Sequence, residues 1–303
     1  MASIVDASNL AVRLRPCLAI LEHDLGSLCQ SKLIRIWLAT TAVLTLIVTM
    51  GNWVQLADGP LIAVLLFPYL VFPWFFVAII LGVTPVSGAR AETLADGILS
   101  RPVTRHGYLL ATWAARVVTV LGVYLAVIVP AIAVVTLASR PVPQDTVTFY
   151  GVVSSLWMVG LVLTFIVSLG FFAGTLLRKP LLAVALLVFV WYPVNLILNA
   201  FSLEAFSPIS LNRAIPTQLR SALFTKDDGP NAKVGKTEVD AFADLMTSFG
   251  KAFSTTGPAM RKDGFFNAGA SRDFSLIRVT LGYGLPTLTL LALSVWRFYR
   301  RDL

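Results

Sequence analysis

The feature that most constrains this chain is a rhythm of long apolar runs with hardly an ionisable side chain in them. Six stretches, Ile36–Leu56, Leu61–Val83, Tyr108–Leu137, Tyr150–Leu177, Leu181–Ala200 and Phe274–Trp296, each hold twenty residues or more. At roughly 1.5 Å per residue, a helix of about 20 residues crosses the roughly 30 Å hydrocarbon layer. Backbone groups in lipid must be paired within their own segment, and no run alternates as a barrel strand does, so the runs are predicted to be helices. Composition agrees, since the 303 residues are 57% hydrophobic and only 13% charged, against about a quarter charged in a soluble domain. The fold class expected is an all-α polytopic membrane protein: one transmembrane domain over residues 1–303 with six transmembrane helices. It has an N-terminal tail at 1–35, a polar segment at 84–107 and an enlarged segment at 201–273. No cleavable signal peptide is expected, because the first apolar run starts at Ile36 and is long enough to stay in the membrane.

Lys and Arg set the orientation. The N-terminal tail, the 84–107 segment, the Arg178-Lys179 turn and the C-terminal tail together hold twelve of them, whereas the two short loops opposite hold only Arg140. The positive-inside rule then puts both termini in the cytosol. The 201–273 segment is too long for that rule, and its nine Lys and Arg are nearly cancelled by eight acids. The net charge of +8 is therefore an orientation signal, and no nucleic-acid partner is expected. Trp37, Trp53 and Trp296 fall at span ends, where interfacial aromatic belts sit. Before the first span, residues 17–35 mix Leu and Ile with Glu22, His23, Asp24 and Lys32, a pattern for an amphipathic elbow helix lying on the bilayer. Cys17 and Cys29 lie there too and make no disulfide framework or zinc pattern.

Between the second and third spans the chain reads ETLADGILSRPVTRHGYL at 92–109. Ala91, Leu94, Ala95, Ile98 and Leu99 recur at helical spacing, Ser87 is placed as an N-cap, and Pro102 stops the helix. A short amphipathic helix over 87–100 follows. It either lies on the headgroups or acts as a lever that carries a push from a cytosolic partner into two spans.

At these residues the chain resembles the type-2 exporter permeases of ATP-binding-cassette (ABC) transporters, in particular the six-span bacterial branch similar to the nitrous oxide reductase maturation permease. The resemblance rests on Glu92-Thr93 and on LSRPVTR at 99–105. Thr93-Leu94 stands where the family has Gly-Thr, Gly97 interrupts its Leu run, and Thr104 replaces Ser. The layout of elbow helix, six spans, cytosolic loop and enlarged outer segment is shared as well. The resemblance implies that this loop is a coupling helix docking on a cytosolic ABC ATPase, with Glu92, Asp96, Arg101 and Arg105 as polar contacts and Leu94, Ile98 and Leu99 as the apolar anchor. It also implies a dimer with a second permease copy or homologue, in the bacterial cytoplasmic membrane. No cofactor is expected on this chain; ATP and Mg belong to the partner ATPase.

The stretch GPNAKVGKT at 229–237 imitates a phosphate-binding loop, but five residues separate Gly229 from Gly235, one too many for that turn. Within the spans the ionised groups are Arg116 and Arg278, each near enough to an end to snorkel to water. The runs hold no carboxylate or histidine of the kind an ion-coupled carrier or intramembrane protease needs, so no catalytic residue and no metal site are expected. Prolines 68, 73, 130, 193 and 286 permit kinks. Gly170-x-x-x-Gly174 suits close helix packing. The resembled family lines its translocation path with the second and fifth spans, which here carry Tyr69, Trp74, Trp191, Tyr192, Asn195 and Asn199. These are path candidates, or else interfacial aromatics and amides that bond neighbouring helices. Residues 201–225 resemble the family's re-entrant or interfacial helices. An amphipathic helix from Thr237 onward would cover the exit, rest on the leaflet or meet an outer partner. The function expected is a permease subunit that moves a substrate with ATP hydrolysed elsewhere; the alternative is a non-transporting membrane scaffold that anchors a complex.

Overall fold

The computed structural model describes residues 2–70, 73–91, 105–141, 147–177, 179–200, 207–219 and 276–301, in places (2–15, 85–91, 105 and 195–200 among them) by the backbone alone. The described residues form nine helices and no strand. In chain order these are α1 (Ala2–Gln30), α2 (Lys32–Gly51), α3 (Asp58–Leu70), α4 (Trp74–Ala91), α5 (Arg105–Leu137), α6 (Phe149–Leu176), α7 (Pro180–Ala200), α8 (Pro208–Leu219) and α9 (Leu276–Arg301). Five stretches are long and apolar enough to cross a membrane: Lys32–Gly51, Asp58–Thr84, His106–Leu137, Phe149–Leu176 and Leu276–Arg297. The chain is a multi-pass helical membrane protein. The predicted fifth run is helical throughout as α7, of which Pro180–Trp191 is the shorter apolar portion among the described residues.

Several boundaries differ from the expected ones. The first span begins at Lys32 rather than Ile36 because Ser31, in extended conformation, accepts the Ile34 N–H at 3.3 Å and caps a new helix. It ends at Gly51 rather than Leu56 because Asn52 turns back on Val48 O with both its backbone N–H (3.2 Å) and its side-chain amide (2.9 Å). The elbow is correspondingly one helix that ends at Gln30, without residues 32–35. Ser87 does not stand at a helix start, since α4 runs through it to Ala91. Pro85 cannot pair the carbonyl four residues back; the Thr84 hydroxyl lies 3.0 Å from Ile80 O and 3.3 Å from Leu81 O, and the helix continues past the proline. Residues 92–104, with the rest of the expected short helix, lie outside the described residues, as do the 229–237 stretch and the Thr237 helix.

The second span is two helices, α3 and α4, with Pro68 and Pro73 on either side of the joint. α4 restarts with the Phe76 N–H on Pro73 O at 3.1 Å. Around this pair the bundle is organised by α6, which touches α3, α4, α5, α7, α8 and α9. The closest approach is between α4 and α6. A Cβ on Gly82 would lie 2.5 Å from Val167 O, one on Gly170 2.8 Å from Ile79 O, and one on Gly174 2.7 Å from Val83 O. Only glycine permits this backbone-to-backbone seam, and the Gly170–Gly174 spacing does pack helices. Residue numbers rise together on both sides of the seam, so α4 and α6 run parallel. Outside this core, α2 and α9 present apolar faces such as Ile36, Val43, Ile47 and Met50, and Ile277, Leu281, Leu285 and Leu288. In water such faces would aggregate; in a bilayer they meet acyl chains. Many of the Thr and Ser hydroxyls inside the spans bond their own helix, as Thr41 does to Trp37 O (2.6 Å) and Thr287 to Tyr283 O (2.6 Å), which keeps these satisfied without water.

Candidate functional site

Of the residues expected to couple to a partner, Glu92, Leu94, Asp96, Ile98, Leu99 and Arg101 lie outside the described residues, and Arg105 is the first residue of α5. What is described is how the flanking helices are held. α1 packs along α5, and Asp24 of α1 meets Arg116 of α5 at 3.6 Å. Arg116 also donates to Thr112 O at 3.1 Å, and its side chain is 12% exposed. The expected route to water is thus replaced by a carboxylate from the elbow helix. That exchange is reasonable on energetic grounds, since an unpaired arginine at membrane depth is costly. Arg278 is exposed.

Of the path candidates, Tyr69 and Trp74 stand on the two sides of the α3/α4 joint. Tyr69 is fully buried and meets Tyr124 of α5 edge-on, ring centroids 4.8 Å apart. Trp74 packs against Trp37 of α2 at 6.4 Å. The next residue, Phe75, stacks on Trp191 of α7 at 5.5 Å and 14°. Trp37 is thus a core residue at 3% exposure, not a member of an interfacial belt. Tyr192, Asn195 and Asn199 follow Trp191 on α7, whose backbone alone is described there. The joint in the second span is therefore ringed by aromatic contacts to three other helices, so that a bend there moves against α2, α5 and α7 together. The hydroxyls of Tyr69 and Tyr124 and the Trp37 Nε1 are buried without a hydrogen-bond partner among the described residues. Each such orphan costs about 1–3 kcal/mol. Tyr124 and Phe75 carry no signal in the sequence beyond being aromatic residues in apolar runs; only the packing singles them out.

At the opposite end of the bundle a second polar cluster joins loops that are distant in sequence. The Arg140 guanidinium donates to Trp53 O (3.2 Å) and Leu56 O (3.0 Å), pairs with the Asp58 carboxylate, and lies 5.3 Å from the Trp53 ring centre. The α2–α3 turn is thereby fastened to the segment after α5. Beside it α8 docks by the stripe Leu211, Ile215 and Leu219, all buried. Its last carbonyl, Leu219 O, accepts from the Thr148 N–H at 2.9 Å, and Gln218 donates to Ser154 Oγ at 3.0 Å. A helix C-terminus thus faces the N-terminus of α6, a favourable alignment of dipoles. Gly151 permits it, since a Cβ there would sit 2.3 Å from Leu219 O.

Among the described residues no group of three or more His, Cys, Asp or Glu is placed to hold a metal ion. No protein-family model and no curated protein matches the chain.

Proposed function

We propose that the chain is the membrane-spanning permease subunit of an ABC transporter, with six spans formed by α2, α3 with α4, α5, α6, α7 and α9. In this reading it lies in a bacterial cytoplasmic membrane with both termini cytosolic, pairs with a second permease copy, and is driven by ATPase subunits docked on the 87–105 segment. The observation that carries the reading is that segment itself, ending in LSRPVTR between two span helices. The helices on either side support it. α5 leaves the segment as one helix of 33 residues whose proline, Pro130, lies in its last third, so displacement of its first turn is conveyed along the turns that precede the proline. α1 is tied to α5 by Asp24 and Arg116, so the elbow moves with it. α4 enters the segment from the aromatic-ringed joint, which supplies the place for the second span to bend. ATP-driven approach of two ATPases would thus tilt α4 and α5 and alter access along the second and fifth spans.

The test is purification of the full chain from its native membranes, with ATP hydrolysis of the eluate as the readout. The wild type is expected to bring down an ATP-hydrolysing subunit. The double variant Leu94→Asp with Ile98→Asp is expected to lose it while remaining in the membrane. Equal ATPase recovery with the variant would contradict the docking role. If the wild-type complex hydrolyses no ATP in liposomes under any substrate tried, the scaffold alternative gains instead.

A further inference from the structure

The joint in the second span meets α5 through one pair of rings. Tyr69 and Tyr124 are the largest of the fully buried side chains among the described residues, and they meet edge-on at 68° with centroids 4.8 Å apart. The edge of one ring against the face of another is a preferred arrangement with a defined offset. Neither hydroxyl has a hydrogen-bond partner among the described residues, so the rings alone make the contact.

The two sides of this contact differ in stiffness. Tyr124 lies roughly 28 Å along α5 from Arg105, at about 1.5 Å per residue, and ahead of Pro130. No proline stands between Arg105 and Tyr124, so a displacement of the first turn is carried to that ring. Tyr69 lies in the last turn of α3, between Pro68 and Pro73, where the span is interrupted. Beyond the joint, α4 is held against α6 by the seam of Gly82, Gly170 and Gly174. The half of the span that can answer a movement of Tyr124 is therefore α3.

We infer that Tyr124 is a positioning residue for the α3–α4 joint: its ring bears on Tyr69 and sets the angle between the two halves of the second span according to where α5 stands. The inference rests on the transport reading for the source of the push, and adds to it a route into the second span at mid-helix, distinct from the one through the far end of α4. The ring transmits and the hydroxyl does not. Phenylalanine should therefore serve at position 124, whereas leucine, which keeps apolar bulk but has no ring edge, should leave the joint unresponsive.

The experiment is pulsed electron–electron resonance on the full chain in complex with its ATPase, with spin labels on Val54→Cys and Thr84→Cys in a Cys17→Ser, Cys29→Ser background. Val54 precedes α3, Thr84 lies on α4, and both are exposed, so their separation reads the bend. The separation is measured without nucleotide and with ATP plus vanadate. A shift is expected with Tyr124 and with Tyr124→Phe, and none with Tyr124→Leu. Should Tyr124→Leu fail to assemble, Tyr69→Leu is judged by the same rule. A full shift in the leucine variant, or a lost shift in Tyr124→Phe, would overturn the inference and leave the transport reading standing. A chain with Tyr124 that binds its ATPase and shows no shift would overturn the inference and the bending of the second span together, and a chain that recruits no ATPase would remove the transport reading and the inference with it.

Discussion

The two ends of the bundle are held by different physics. At the Arg140 end, polar groups from distant loops are lashed together: Arg140 to the Asp58 carboxylate and two carbonyls, Thr148 to Leu219, and Gln218 to Ser154. Toward the Arg116 end, the bundle relies more on shape, with the Gly82, Gly170 and Gly174 seam holding α4 against α6 beside one ion pair joining α1 to α5 and one hydrogen bond from Trp113 Nε1–H to Ser168 Oγ at 2.9 Å. Polar ties are discrete and can be released one at a time, whereas a backbone seam moves as a unit. A device that takes a push at the Arg116 end and passes it up rigid helices would be built this way, with a seam near the input and releasable fasteners at the far end.

The contrast can be broken by substitution, with unfolding of the full chain in detergent as the measure. Gly82→Val should have the largest effect, about 3 kcal/mol or more, because its Cβ meets the Val167 carbonyl and the obstruction is backbone. Arg140→Ala should follow at about 2 kcal/mol. Breaking a buried pair costs about 3–5 kcal/mol, and the value is reduced here because Asp58 is 20% exposed and regains water. Gln218→Ala removes one buried interhelical hydrogen bond and should cost about 1 kcal/mol. Asp24→Asn should be the smallest, below about 1 kcal/mol, because the pair is long, Asp24 is 26% exposed, and the asparagine oxygen still accepts from Arg116, so the guanidinium is not left unpaired. If Asp24→Asn proved more damaging than Arg140→Ala, the division between fastened and shape-held ends would fail.

Much of the helical layout was legible from local signals. Uncharged runs located the five stretches long and apolar enough to cross a membrane, prolines 68 and 73 marked the joint in the second, and Gly170 and Gly174 marked a close contact. Less legible was everything set by partners far apart in the chain. Asp24 reads as one more polar residue on an elbow and Arg116 as a snorkelling cation; only packing of α1 on α5 makes them a pair. Arg140 was counted for orientation, but its role as a fastener depends on carbonyls of the α2–α3 turn, which carry no sequence signal. Trp37 has the position of an interfacial residue and the environment of a core one, because Trp74 is turned toward it. Helix ends differ from the expected ones where a single side chain decides them, as Ser31 and Asn52 do for α2.

The most direct test of the central claim places one cysteine at position 96, as Asp96→Cys with Cys17 and Cys29 changed to Ser, and follows its reaction with a membrane-impermeant maleimide. The account predicts labelling in inside-out vesicles, none in intact cells, and slower labelling when the ATPase subunit is bound. Labelling from outside, or a rate indifferent to the ATPase, would contradict it.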